Sequence, residues 1–280
     1  MILSFASSGL PGMLLAASSL LALLAYAAVA LSPEKAGDGP RLRSLLVLAW
    51  GAHLLALVLD IAGIGASQPG ARFGFAPALS MTIWLVLAVY MVESRLVPLP
   101  SARRVLAVLA VLGVLLAALY PGESRPLAAS PWAPLHWVLG LASYGLFGVA
   151  VLHAVLLNRA ERQMRLKKPV PGQGLAPLGM PLLRLERLTF QFVGAGVVVL
   201  SLALLLGWWF TPQWRWDHKN LLSVLGWLVL TGLLTGRRVF GWRGRRATRW
   251  LYLGAALLLL AYAGSRFVLE VLLQRAGGTY

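Results

Sequence analysis

Eight runs of apolar residues, each about as long as a membrane is thick, leave this chain little freedom in how it folds. They fall at roughly 9 to 32, 44 to 66, 76 to 97, 103 to 120, 134 to 158, 188 to 210, 220 to 236 and 250 to 273, each flanked by Pro, Gly or charge. About twenty apolar residues wound as a helix cross ~30 Å of hydrocarbon, and a helix satisfies its own backbone hydrogen bonds where no water is present. The chain therefore reads as an all-α integral membrane protein, a bundle of about eight transmembrane helices forming a single polytopic membrane domain over residues 1 to 280. Hydrophobic residues make up 59% of it and charged residues 12%, which leaves no stretch for a separate soluble domain. The opening MILSFASSGLPG lacks a positive segment ahead of its apolar run, so that run is expected to be a permanent span rather than a cleaved signal.

The loops supply the orientation. The connections after spans one, three, five and seven hold 19 of the 25 Lys and Arg residues, among them Arg41, Arg43, Arg103, Arg104, Arg159, Arg162, Arg245 and Arg249. Basic loops stay on the cytoplasmic side, so both ends of the chain are expected on the outer, periplasmic side. The same rule accounts for the net charge of +16, and no nucleic-acid partner is expected from it. The polybasic segments RAERQMRLKK and FGWRGRRATRW read first as connectors attracted to anionic lipid. A phosphate role for FGWRGRRATRW is open, although no glycine-rich strand-to-helix loop accompanies it.

The absence of cysteine removes disulfides, thiolate nucleophiles, iron–sulfur clusters and thiolate metal sites. Chemistry must rest on the few polar residues within or beside the spans. Span two carries His53 and Asp60, seven residues apart and so nearly on one helical face. Ionisable groups in hydrocarbon are costly and by default face a bundle interior or a cavity, although an interhelical hydrogen bond would serve equally well. Span five carries His136 near its outer end and His153 near its inner end. Seventeen residues correspond to about 25 Å of rise, so these two cannot share an ion.

The densest cluster of chemistry is Trp208 to Trp227, WWFTPQWRWDHKNLLSVLGW, which sets Trp216, Asp217, His218 and Lys219 in consecutive positions among further tryptophans. Orientation puts it outside, on the side of His136 and of Arg266 in the last span. Gly140 and Ser143 stand one and two turns below His136 on its own face and leave room for a flat ligand. Haem needs an imidazole for its iron, aromatic walls for its ring and cations for its propionates. His136, the tryptophans, and Lys219 or Arg266 are residues of those types. Each also has a plain structural use, since tryptophan anchors interfaces, arginine snorkels and a loop histidine is hydrated.

WRWDHKNLLSVLGWLVLTGLLTGRR resembles the tryptophan-rich segment and following helix of the CcsA-type cytochrome c assembly proteins, and LHWVLGLASYGLF is similar to that family's outer histidine span. GWRGRR and AYAGSRFVLE resemble the closing helix of its HemX-like, inner-membrane branch, so that the likeness runs from about 136 to 270. Departures are visible: Thr235 stands where the family helix has a histidine, His218 where it often has proline, and no second outer-loop histidine follows span seven. The resemblance implies a multi-pass protein of the bacterial cytoplasmic (inner) membrane that handles haem for cytochrome c assembly. His136 would be the outer ligand to haem iron and Trp216 and Asp217 part of its platform. His53 would be a second candidate ligand to the iron, with His153 able to join it if their helices adjoin. It implies membrane lipid, other cytochrome c assembly proteins or apocytochrome c as partners, and a carrier, chaperone or regulatory subunit in place of a stand-alone catalyst. Two functions remain open: a protein that binds haem non-covalently and presents or senses it near the outer face, and a scaffold or regulator of a partner that has lost haem.

Overall fold

The computed structural model describes residues 10–33, 39–64, 71–95, 100–125, 132–165, 182–211 and 216–268. Eight helices in that set are long and apolar enough to cross a membrane. They are α1 (Leu10–Leu31), α2 (Gly39–Ile61), α3 (Phe75–Glu93), α4 (Pro100–Leu119), α5 (Ala133–Arg165), α6 (Leu182–Phe210), α7 (His218–Phe240) and α8 (Gly244–Leu259). A π-helical stretch, Leu260–Gly264, continues α8. The predicted all-α membrane architecture is the one observed, with one addition. Three-residue strands β1 (Ala71–Phe73) and β2 (Glu123–Arg125) form an antiparallel ladder in which Arg72 lies opposite Ser124.

The helices group into two compact units. The first holds α1, α2, α4, the strands and α3 as far as Met91. Small residues allow close backbone approach here, with Ala22, Ala49, Ala107 and Ala110 fully buried. Trp50 of α2 and Trp84 of α3 stack at 4.4 Å. Each indole N–H donates to the other residue's backbone carbonyl, at 3.2 and 3.1 Å, so both half-buried donors are satisfied within the protein.

The second unit holds α5 to α8, the π stretch and the chain from Val92 to Leu99. Its core is built from Phe147, Phe190, Val193, Leu230, Leu233, Leu251 and Leu258. Glycines set the helix spacing: a Cβ on Gly254 would come within 2.5 Å of Leu230, and one on Gly196 within 2.6 Å of Phe147. The Tyr144 hydroxyl of α5 donates at 2.8 Å to the Leu258 carbonyl, just ahead of the π stretch. Outward faces carry leucines such as Leu202, Leu205 and Leu228, as surfaces solvated by lipid do.

Helix ends depart most from the sequence reading. Spans five and six were expected at 134 to 158 and 188 to 210, yet α5 runs on to Arg165 and α6 begins at Leu182. The α5 extension, RAERQMR, consists of strong helix formers, so the helix outlasts its apolar pattern. At the other end, His218 and Lys219 belong to the first turn of α7 instead of a loop. The 166–181 connection and 212–215, with Trp214 and Arg215, fall outside the described residues.

Candidate functional site

His136 sits in the first turn of α5 and is half-buried against the C-terminal turns of α6. Its Nδ1–H donates at 2.9 Å to the Ala203 carbonyl. That bond fixes the tautomer and leaves the Nε2 lone pair as the ring's free acceptor, the arrangement that orients metal-ligating histidines. Gly207, one turn beyond Ala203, makes the approach possible, since a Cβ there would meet the ring Cε1 at 2.9 Å. Phe210 completes the holder, its ring edge-on to the imidazole at 5.6 Å. Below His136, Gly140 faces open space. The buried Ser143 hydroxyl donates to the Gly140 carbonyl at 2.7 Å, so it is already satisfied.

At the C-terminal end of α6 and just ahead of α7, Trp208, Trp209 and Trp216 are exposed at 62%, 77% and 69%. Aromatic rings left out of the core are available to lipid or to a flat ligand. Asp217 has a definite local role: it is the N-cap of α7, and its Oδ1 accepts the Asn220 backbone N–H at 2.8 Å. His218 and Lys219 follow on the exposed first turn. The Arg266 side chain lies outside the described residues.

Among the described residues no three His, Asp or Glu side chains gather as a metal-ion site. A bare ion needs several protein ligands, whereas haem iron has four from its macrocycle and asks the protein for one or two.

The other two histidines are engaged elsewhere. In the first unit His53 is 1% exposed, with Nδ1 at 3.3 Å from the Tyr26 hydroxyl and Nε2 at 2.8 Å from the Ser80 hydroxyl. It lines a cavity of about 20 Å³ with Ser19, Ser80 and Asp60. That is room for roughly one water and far from room for a macrocycle. Asp60 ends α2 and pairs with Arg72 of β1 at 3.3 Å. Arg72 also donates to the Gly122 carbonyl at 2.9 Å, so the strand ladder serves to bring a cation to a buried carboxylate. In the second unit the His153 Nε2–H donates to the Glu93 carboxylate at 2.8 Å, and the ring packs edge-on against Phe192. Its Nδ1 is buried with no hydrogen bond among the described residues.

Sequence reasoning missed Arg72, Glu93, Ser80 and Ala203 as partners. Each contact joins residues distant in the chain, 60 apart for Glu93 and His153 and 67 for Ala203 and His136, with no local pattern to mark them.

The family model described as Cytochrome C assembly protein matches residues 39–273. The chain belongs to that family. Inner membrane protein YpjD of Escherichia coli K12 is 31% identical over 268 residues, covering 91% of this chain and 98% of the relative. An uncharacterized 28.8 kDa protein of Azospirillum brasilense is 33% identical over 275 residues, covering 91% and 97%. A cytochrome c biogenesis protein CcsA of Prochlorococcus marinus is 22% identical over 223 residues, covering 68% and 71%. No solved structure matches. With eight membrane-spanning helices and these relatives, this family member is a multi-pass protein of the bacterial inner membrane.

Proposed function

We propose that this protein binds haem non-covalently through His136 and presents or senses it near the outer face of the membrane during cytochrome c assembly. The observation that carries the reading is the His136 Nδ1–H bond to the Ala203 carbonyl, which fixes the tautomer and leaves Nε2 as the nitrogen with a lone pair for a ligand. Haem, when bound, supplies an iron for that lone pair and vinyl groups that the thiols of an apocytochrome attack. The chain's own part is positional. His136 would hold the iron, the exposed indoles of Trp208, Trp209 and Trp216 would offer faces to the ring, and Lys219 would offer a cation to a propionate. His53 and His153 keep the roles their partners give them: a hydrogen-bonded core histidine and one member of a buried pair with Glu93.

A second reading is a scaffold or regulator of a membrane partner that has lost haem. It draws on the engagement of two of the three intramembrane histidines by other side chains.

The test is the absorption spectrum of detergent-purified protein from haem-replete cells, with His136→Ala, His53→Ala and His153→Ala beside it. A Soret band that His136→Ala abolishes and the other two retain is the expected result. A colourless protein that takes up no added haemin, co-purifying with a membrane partner, would establish the second reading. A band lost in His53→Ala alone would move the ligand into the first unit.

A further inference from the structure

At the end of the second unit remote from His136, α5 and α8 enclose a cavity of about 380 Å³. Its lining repeats one pattern twice. Val155, Asn158, Arg159 and Arg162 come from α5, and Arg245, Thr248, Arg249 and Tyr252 from α8. Each set is spaced i, i+3, i+4 and i+7, the stripe that one face of a helix presents. Two basic stripes therefore face each other across a gap in the lower range of small-ligand pockets, ~300–1,000 Å³.

The floor of the cavity is polar and ordered. Thr248 is 1% exposed, and its hydroxyl lies 3.3 Å from both Asn158 Oδ1 and the Arg245 carbonyl. Asn158 Nδ2 donates to the Tyr252 hydroxyl at 3.0 Å, which leaves the tyrosine its own proton to donate. The rim is four guanidinium groups. None of them forms an ion pair among the described residues, and no carboxylate lines the cavity. Glu161, the one acid of α5, lies against Gly244. Neighbouring arginines are differently placed: Arg237 pairs with Glu186 at 2.9 Å, and Arg246 stacks over Trp242 at 4.5 Å.

Retention of a membrane protein's loops in the cytoplasm requires positive charge but no convergence of it. Here four arginines, none in an ion pair among the described residues, converge on hydroxyl and amide groups with no carboxylate in the lining. We infer that this cavity binds a phosphate group, carried by an anionic phospholipid headgroup or by a soluble phosphate. Arginine forks match phosphate oxygens two at a time, and the Tyr252 hydroxyl is a further donor on the floor. Arg159 lies 23 residues beyond His136 on one helix, about 35 Å away along the axis, at the depth of the opposite headgroups. The site is thus separate from the proposed haem ligand and does not depend on it. It also gives the two polybasic segments a common purpose that neither has alone.

The experiment is native mass spectrometry of the full chain released from detergent, with phosphatidylglycerol titrated in one arm and inorganic phosphate in the other. Arg159→Gln/Arg249→Gln removes one guanidinium from each stripe. Arg41→Gln/Arg43→Gln removes the same charge from an exposed part of α2. All four are exposed, so folding is expected to survive, and unfolding temperature without added ligand checks it. One phosphatidylglycerol should stay bound per wild-type chain and bind roughly 100-fold more weakly to the α5/α8 variant, at about tenfold per charged hydrogen-bond donor, with the α2 variant unchanged. Saturable binding of inorganic phosphate with the same variant pattern, and no retained lipid, would assign the phosphate to a soluble source. Equal losses in both double variants, or no saturable binding of either probe, would overturn the site.

Discussion

One carbonyl and one glycine determine what His136 can do. The Ala203 carbonyl takes the Nδ1 proton, and Gly207 leaves the space in which the ring lies. Gly207→Ala puts a methyl 2.9 Å from Cε1, closer than side chains pack, so the ring must tilt and its hydrogen bond must lengthen. Overpacking of this kind costs roughly 1–3 kcal/mol. We expect the variant to fold, to unfold at a lower temperature, and to take up added haemin with an affinity at least about fivefold lower, read from the Soret titration. The histidine itself was legible in the sequence because imidazole is rare in a span and costly there. Its holder was not legible: alanine and glycine carry no chemical signature, and what matters at each is a backbone atom or a missing one. Asp60 shows the same limit. Its burial followed from its position in span two, but its partner Arg72 sits on a three-residue strand that no apolar pattern announces.

At the level of elements, Asp217 separates two roles that the sequence reading had merged. The family resemblance implies a place for it in an aromatic haem platform, and it is also the cap that starts α7. Asp217→Ala should lower stability by about 1 kcal/mol, while Asp217→Asn, which keeps the acceptor, should cost little. Thermal unfolding in detergent measures both. If Asp217→Asn keeps stability but loses haem, the carboxylate charge serves the ligand as well as the helix. Farther along, α7 and α8 meet through Gly226 and Gly254. Gly254→Val drives a side chain into Leu230 and should destabilise the second unit by roughly 1–3 kcal/mol, seen as a lower unfolding temperature. Spans were easy to read because hydrocarbon demands about twenty apolar residues. Their ends were not, because α5 continues on helix propensity and packing after the apolar demand has stopped.

For the molecule as a whole, the eight spans and the uneven loops make one further claim that reaches both sites. If basic loops lie in the cytoplasm, the His136 end of the second unit faces outward and the arginine-lined cavity faces the inner leaflet, where anionic lipid attracts it. The two proposals thus stand on opposite sides of the membrane and share one orientation. Reporter fusions decide it. Alkaline phosphatase joined after Thr211, at the C-terminal end of α6, should be active, and a fluorescent protein joined after Gly241, between α7 and α8, should be fluorescent. The reverse pattern would bring His136 to the cytoplasm, away from any place where an apocytochrome meets haem outside. It would also carry four unpaired arginines to the outer surface, against the charge bias of nearly every other loop in the chain. A protein with 19 of its 25 cations in alternate loops has little freedom to adopt that reverse orientation. The fusions therefore test the frame on which the haem ligand and the phosphate cavity are each assigned a side, before either ligand is added.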